Sequence, residues 1–457
     1  MTEYLVNIVW KMRPAFSRKA AFSWFVIVFA GLILKEDSLG VTSIIRGILL
    51  PAVCYPSIIH FFHSQAWRGD LFLKIWWKIL IAEEMAHVVN ERIVLIGDHT
   101  MKAKEGRKMP SVRTQHQNSE TNTKPSFFRG HEWGFIALLS SINTAFHASP
   151  LWAGIHRKGE YFESNIEKMI AKAHEIADYL GKKAYLVLDA FFVSKKSFIK
   201  KDKIDVIVRG KKNAVAYFPP VKRKKKGRGR PKKYGKKVKI INLFESKKNS
   251  FSKTTATIYG KTENIRYLKI ALMWRPVKSM ICFLLYETPR GKIILMSSDL
   301  NICPINAIEL YASRMNIETM FDSMKNLLNG FGYHFWSKYL SRASRRPCKN
   351  ENAEQKSSNP EKTEITFFAI ERFVWIQMIV LGMLHLFAKK FHKEIYSKFT
   401  CWLRTESQKT PSEFVTISAL KNLLKRNLLD FENDPITQLI HSKTKQHCSK
   451  KTLQKVA

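Results

Sequence analysis

Acidic residues are scarce in this chain. Its 457 residues include 37 Asp and Glu against 77 Lys and Arg, a formal net charge of +40. An excess of that size, spread along the whole length, points first to nucleic acid and second to an anionic membrane surface. Ribosomal-type packing proteins are as basic, but they rarely carry 12% aromatic residues. Cysteine is scarce too. The six are Cys54, Cys282, Cys303, Cys348, Cys401 and Cys448. None pairs as C-x-x-C and none has a histidine at zinc-finger spacing, which argues against a structural zinc site and a disulfide framework. Such usage fits a reducing cytosol. Long apolar runs are the third shortage. Residues 20–34 and 373–388 come nearest, and both fall short of the roughly 20 residues that span a bilayer. Buried core helices are the expectation for both. The first run lacks the position and cleavage pattern of a secretory signal.

The chain is long enough for two or three domains. Residues 1–88 read as an all-helical N-terminal domain: apolar segments at 20–34, 41–50 and 71–81 are separated by polar turns. Its cluster of tryptophans between Trp67 and Trp77 suits DNA-end binding, dimerisation or plain packing. At residue 92 the pattern changes. Arg92-Ile-Val-Leu-Ile-Gly97 is a β-type apolar run that ends in Asp98. A polar, lysine-rich loop to about Gly130 and a further strand at 134–146 are expected next. Residues 163–180 are strongly periodic, a helix closed by Gly181. Ala184-Tyr-Leu-Val-Leu188 is a second buried-type strand and ends in Asp189; 204–208 is a third. Helices alternating with such strands imply an α/β core with parallel strands over 89–210, and the carboxyl ends of its strands are where such sheets place ligands.

Residues 211–298 combine a basic tract with a β-rich insertion. The tract, 222–239, contains Gly227-Arg-Gly-Arg-Pro-Lys232. Arg228, Arg230 and Lys232 can lie in an A·T minor groove, where the narrow width concentrates negative potential; a solvated linker is the other reading. Short β-type runs follow at 238–244, 254–259, 268–274, 280–286 and 292–296. A helix begins near Pro304 within 299–342. Residues 343–362 read as a linker. Residues 363–457 read as a helical C-terminal region, with a long apolar helix at 363–391, and end in a basic, partly disordered tail.

The helix after Pro304 is the most informative segment. At about 100° per residue, Tyr311, Arg314, Glu318 and Lys325 fall within an arc of roughly 60°. Leu310, Ile317, Met320, Phe321, Met324, Leu327 and Leu328 form the neighbouring core-facing arc. Tyr311, Arg314 and Lys325 suit phosphate contacts. Glu318 does not, except through a metal ion. A solvated face of helical charge pairs is the plainer reading. Asp98, Asp189 and Glu318 together form a candidate catalytic and metal-binding set. Three converging carboxylates repel unless cations neutralise them. Two divalent ions about 3.5–4 Å apart would do so and would activate a water or a 3′-hydroxyl against a phosphodiester. Oxygen ligands favour Mg²⁺, with Mn²⁺ able to substitute.

The residues resemble a family. Tyr311, Arg314, Glu318 and Lys325 match the Y-x2-R-x3-E-x6-K signature of insertion-sequence DDE transposases of the IS-four-like class. Gly97-Asp98-His99-Thr100, followed by Lys104, Gly106, Lys108, Met109 and Pro110, is similar to that family's first-aspartate block. Phe128-Arg-Gly-His-Glu-Trp133, Tyr185-Leu-Val-Leu-Asp189 and Ser298-Asp299-Leu300 resemble further blocks; Ala190 departs from branches with a charged residue there. The resemblance runs from about residue 12 to about residue 340. It implies a ribonuclease-H-like catalytic core interrupted by the β-rich insertion. It also implies Mg²⁺-dependent cutting of inverted-repeat ends of a mobile element in double-stranded DNA, strand transfer into target DNA, and a homodimer on DNA. Bacterial cytoplasm, at the nucleoid and without a membrane partner, is the location implied. His131 reads as a turn histidine, Asp299 as a strand-end cap, and Arg209 as facing either DNA or solvent. Two other functions remain open at this point: a non-catalytic DNA-binding protein derived from such a transposase, and a basic membrane-associated protein built on the two apolar helices.

Overall fold

The structure is a computed structural model. It describes residues 1–116, 127–143, 145–157, 164–199, 203–220, 232–343, 355–404 and 410–454, with side chains described to residue 444. Five helices come first: α1 (Thr2–Lys11), α2 (Lys19–Leu34), α3 (Val41–Gly47), α4 (Cys54–His63) and α5 (Gly69–Ala82). From Phe25 to Leu34, α2 is buried on every side, as a helix apolar all round must be.

A mixed sheet of thirteen strands follows. Its first five are β1 (Val88–Val89), β2 (Arg92–Ala103), β3 (Arg113–His116), β4 (Phe127–Ile142) and β5 (Ala145–Ile155). The chain then forms α6 (Asn165–Leu180), β6 (Ala184–Leu188) and β7 (Ile204–Arg209). The β2–β4 and β4–β5 pairs are antiparallel, whereas β2–β6 and β6–β7 are parallel. The core is thus not purely parallel, as alternation of helix and strand led us to expect. The long β4–β5 hairpin is not legible in the sequence, because both strands are apolar on both faces and show no period of two. Ser164 caps α6 by accepting from the Glu167 amide, and Gly181 ends it at φ +62°, where a side chain would be strained.

The insertion continues the same sheet. It comprises β8 (Val215–Tyr217), β9 (Lys237–Lys239), α7 (Leu243–Ser246), β10 (Ser252–Ile258), β11 (Lys261–Trp274), β12 (Ser279–Thr288) and β13 (Gly291–Ser297). β13 pairs with β7, and the order runs β4-β2-β6-β7-β13-β12-β11. Of residues 238–244, expected to be extended throughout, only Val238 and Lys239 are so, in β9; from Ile240 the chain coils into a 3₁₀ turn and α7, burying Ile240, Leu243 and Phe244 on one side.

The remaining helices are α8 (Pro304–Ser313), α9 (Asn316–Asp322), α10 (Pro360–Lys390), α11 (His392–Lys398), α12 (Glu413–Leu429) and α13 (Pro435–Gln454). α10 is longer than its apolar run, because polar residues extend both ends. By length and composition it could cross a membrane, yet 94% of its most apolar window is buried inside the protein. Within the C-terminal helical region, α12 is capped by Ser412 and buries Val415, Ile417, Leu420 and Leu424.

The helices close the outer edge of the sheet. β5 pairs on one side with β4, which leaves its other row of backbone groups needing partners. The indole nitrogens of Trp76, Trp77 and Trp375 donate to the carbonyls of Pro150, Leu151 and Ala153 at 2.9, 2.7 and 2.7 Å. Glu371 accepts from the Ile155 amide at 3.1 Å, and Lys168 donates to its carbonyl at 2.8 Å. Trp67 is buried as well, stacked on Phe16 and Phe61. Trp76 and Trp77 therefore satisfy backbone groups inside this molecule, and Trp67 packs in its core.

Candidate active site

Register places the two aspartates. The parallel ladder pairs Ile93 with Ala184 and ends at Ile96 with Val187. Two residues further along each strand, Asp98 is level with Asp189 on neighbouring strands, which lie about 4.8 Å apart. β6 stops there. β2 does not end at Asp98 as its sequence suggested; it runs on to Ala103 because β4 still pairs with it. Gly97 makes the approach close: a Cβ there would meet Leu188 Cδ2 at 2.7 Å and Met169 Cε at 2.9 Å.

The third carboxylate arrives on a helix that is not regular. α8 ends at Ser313, and i to i−3 bonds tighten the chain from Arg314 to Glu318: the Ile317 amide bonds the Arg314 carbonyl and the Glu318 amide the Met315 carbonyl, each at 3.0 Å. Past α9, residues Ser323–Leu327 form a π turn. The single continuous stripe expected from 100° per residue is thus broken twice, once too tight and once too wide. The expected core arc holds at Leu310, Ile317, Met320, Phe321, Met324 and Leu328, all buried, while Leu327 is only partly so.

Tyr311, Arg314 and Glu318 still converge on the aspartates. Arg314 Nη1 donates to Asp98 Oδ2 at 2.6 Å and lies 4.0 Å from Glu318 Oε1. The Tyr311 hydroxyl donates to Asp189 Oδ1 at 3.3 Å, and the His99 amide donates to Asp98 Oδ1 at 2.7 Å. Tyr311 and Arg314 are buried and directed at carboxylates, while half of the Glu318 side chain is exposed. Among the described residues, the three carboxylates surround the guanidinium without gathering their oxygens within 4.8 Å of one another.

The electrostatics follow. Burial pushes the Asp98 carboxyl up to about 6; Arg314 and the His99 amide pull it down, and Glu318 and Asp189 push it up again. Burial works against the charge on Arg314, but Asp98, Asp189, Tyr311 and Glu318 together outweigh it and raise its pKa. Burial and Asp189 raise the Tyr311 hydroxyl, against Arg314 and Arg209. Arg209, exposed at the end of β7, thus bears on the site through Tyr311.

Lys325 sits in the π turn with its ammonium 5.9 Å from the Phe321 ring centroid. Lys232 is exposed, and Arg228 and Arg230 lie outside the described residues. Asp299 accepts from the Asn301 amide, a turn-capping contact, and from the Tyr185 hydroxyl, both at 2.8 Å. His131 is not in a turn: it is buried in β4, with its ring nitrogens 2.7 Å from the Tyr333 hydroxyl and 2.8 Å from the Pro110 carbonyl.

Two residues of the first-aspartate block, which the sequence names without a role, position the site. Lys104 donates to the carbonyls of Phe331 and Tyr333 at 2.6 and 2.9 Å, with its ammonium 3.8 Å from the Tyr333 ring centroid. It ties the end of β2 to the segment that follows the π turn. Burial lowers its pKa to about 7. His99 packs its ring on His156 and Phe192 behind Asp98. A histidine directly after a strand aspartate, and a lysine six residues on, were the available signals.

The sequence matches no protein-family profile, and comparison with curated proteins gives no match either.

Proposed function

We propose that this protein is a DDE transposase that cuts the ends of a DNA mobile element and joins them to target DNA. The observation that carries the reading is the register of Asp98 with Asp189 beneath a helix that delivers Glu318. The strand order β5-β4-β2-β6-β7, three antiparallel strands followed by two parallel to the first, supports a ribonuclease-H-like core. The net charge supports a DNA partner.

The residues present fit divalent ions of the Mg²⁺ or Mn²⁺ kind. The donors are hard carboxylate oxygens, and the carboxyl pushed up by burial and its acidic neighbours is the one a cation would draw back to its charged form. Asp98, Asp189 and Glu318 would hold them. When bound, two Mg²⁺ ions supply an activated oxygen nucleophile and charge neutralisation on the scissile phosphate. Arg314 now neutralises Asp98 and Glu318. Relieved of that role, its guanidinium is placed to take a phosphate oxygen beside the cut. Tyr311 holds Asp189 in position and offers its hydroxyl to the same backbone. Lys325 adds charge along the DNA path, with Arg228, Arg230 and Lys232 in the minor groove. In each cleavage an oxygen nucleophile bonds to phosphorus while the bond to the 3′-oxygen breaks and that oxygen takes a proton. In strand transfer the freed 3′-hydroxyl is itself the nucleophile. As in the family, we propose a homodimer on DNA.

The test uses a duplex carrying the sequences that flank the gene, with Mg²⁺. Wild type cuts it; Asp98→Ala, Asp189→Ala and Glu318→Gln bind it but do not cut. Cutting by Glu318→Gln at the wild-type rate would refute the assignment. Binding with steep salt dependence and no cutting by wild type would favour the non-catalytic DNA-binding reading.

A further inference from the structure

A second cluster of ligating side chains lies away from these carboxylates. His147 comes from β5, His385 from the buried core of α10, and Glu413 from the first turn of α12. One ligating atom from each lies within 4.8 Å of the other two. His385 Nε2 is 3.1 Å from Glu413 Oε1, and His147 Nδ1 is 3.4 Å from the same oxygen. Donors about 2.0–2.1 Å from a tetrahedral ion stand roughly 3.3 Å apart. Both contacts therefore have the length of tetrahedron edges.

The cluster is built to hold that arrangement. His385 Nδ1 is 2.9 Å from Ser149 Oγ, which accepts from Ser140 Oγ at 2.8 Å. An outer hydroxyl of this kind fixes which nitrogen a ligating imidazole presents. Glu413 is held by the Ser412 cap, whose hydroxyl accepts from the Val415 amide at 3.3 Å. The His385 side chain is 2% exposed, against 16% for His147 and 14% for Glu413, so the trio is closed behind and open on one side. A plain hydrogen-bonded trio would need each imidazole to donate to Glu413; one ion in the middle satisfies the same contacts.

We propose that His147, His385 and Glu413 form a transition-metal site of the zinc class, with water as the fourth ligand, which fastens α12 to the outer strand β5 and the core helix α10. Two imidazoles and a carboxylate suit Zn²⁺ rather than Mg²⁺, so the site differs from the catalytic carboxylates in the ion it takes. It stands independently of the catalytic reading.

The test is Co²⁺ titration of the chelator-stripped, full-length protein. The expected result is one equivalent of four-coordinate Co²⁺, seen by its intense visible bands and displaced by Zn²⁺, with Zn²⁺ raising Tm by a few degrees. Glu413→Gln and His385→Ala remove the bands. His147→Gln, at the open side where folding is least at risk, weakens Co²⁺ binding by more than about tenfold. Asp189→Asn leaves the bands intact. Absence of the bands in wild type, their survival in His147→Gln at unchanged affinity, or their loss in Asp189→Asn would each overturn the proposal.

Discussion

At the scale of single residues, Arg314 decides the state of the site. Its side chain is 9% exposed and that of Asp98 18%. Truncating one partner of a buried pair leaves the other charge unpaired, at about 3–5 kcal/mol when burial is complete. Partial solvent access to Asp98 reduces this to about 2–3 kcal/mol for Arg314→Ala. Asp98→Asn removes the stranded charge, so the double variant should regain most of that loss. Urea unfolding in Mg²⁺-free buffer measures the cycle, and strictly additive effects would show the pair to be uncoupled. The aspartates and Glu318 were readable because each is a lone acid at the end of an apolar run or on a basic stripe. Their attachment to Arg314 and Tyr311 was not, since charge alone does not say whether a cation faces phosphate or carboxylate. The His147, His385 and Glu413 cluster was unreadable for another reason: its members share no local motif and meet only through the packing of α10 and α12 on β5.

At the scale of elements, α10 and α5 meet at a glycine. A Cβ on Gly382 would lie 2.2 Å from Cζ2 of Trp76. That indole cannot swing aside without breaking its 2.9 Å bond to the Pro150 carbonyl. Alanine gains about 1 kcal/mol of helix propensity over glycine, whereas overpacking a core costs about 1–3 kcal/mol. With a rigid, hydrogen-bonded ring as the obstacle, overpacking wins. Gly382→Ala should therefore lower Tm by a few degrees in thermal unfolding; an unchanged or raised Tm would mean that the two helices separate easily. The long apolar helices and the strands at β2, β6 and β7 were legible because period and continuous burial are local signals. Three features were not. The β4–β5 hairpin is apolar on both faces, the 3₁₀ turn and α7 carry a β-type composition, and the two departures from regular helix flank α9, which packs on the distant strands β2 and β5. The joining of the insertion to the main sheet through β13 and β7 is likewise a tertiary fact.

At the scale of the whole molecule, positive charge and buried neutral histidines set the response to acid. Burial holds His131 down to about 3 and His156 down to about 2. The Pro110 carbonyl partly offsets this for His131, while Lys104 and Arg113 add to it; His99, Lys168 and Arg113 face His156. A histidine with a folded pKa below its ordinary 6.5 binds a proton in the unfolded chain before it does so in the fold. Its contribution is therefore complete above about pH 6.5 and is lost as pH falls from there toward the folded value, at up to about 1.4 kcal/mol per pH unit. Two such groups give roughly 3 kcal/mol per unit below about pH 6, in a chain whose +40 charge already repels itself. His156 isolates the effect, because neither ring nitrogen has a hydrogen-bond partner among the described residues. His156→Phe keeps an aromatic ring there and removes the titration. Unfolding free energies from pH 8 to 5 should then fall less steeply for the variant. The gap between the curves should widen in its favour by about 1.4 kcal/mol per pH unit below pH 6. Parallel curves would show that the imidazole takes up its proton as readily in the fold as in the unfolded chain, and that burial does not hold it neutral.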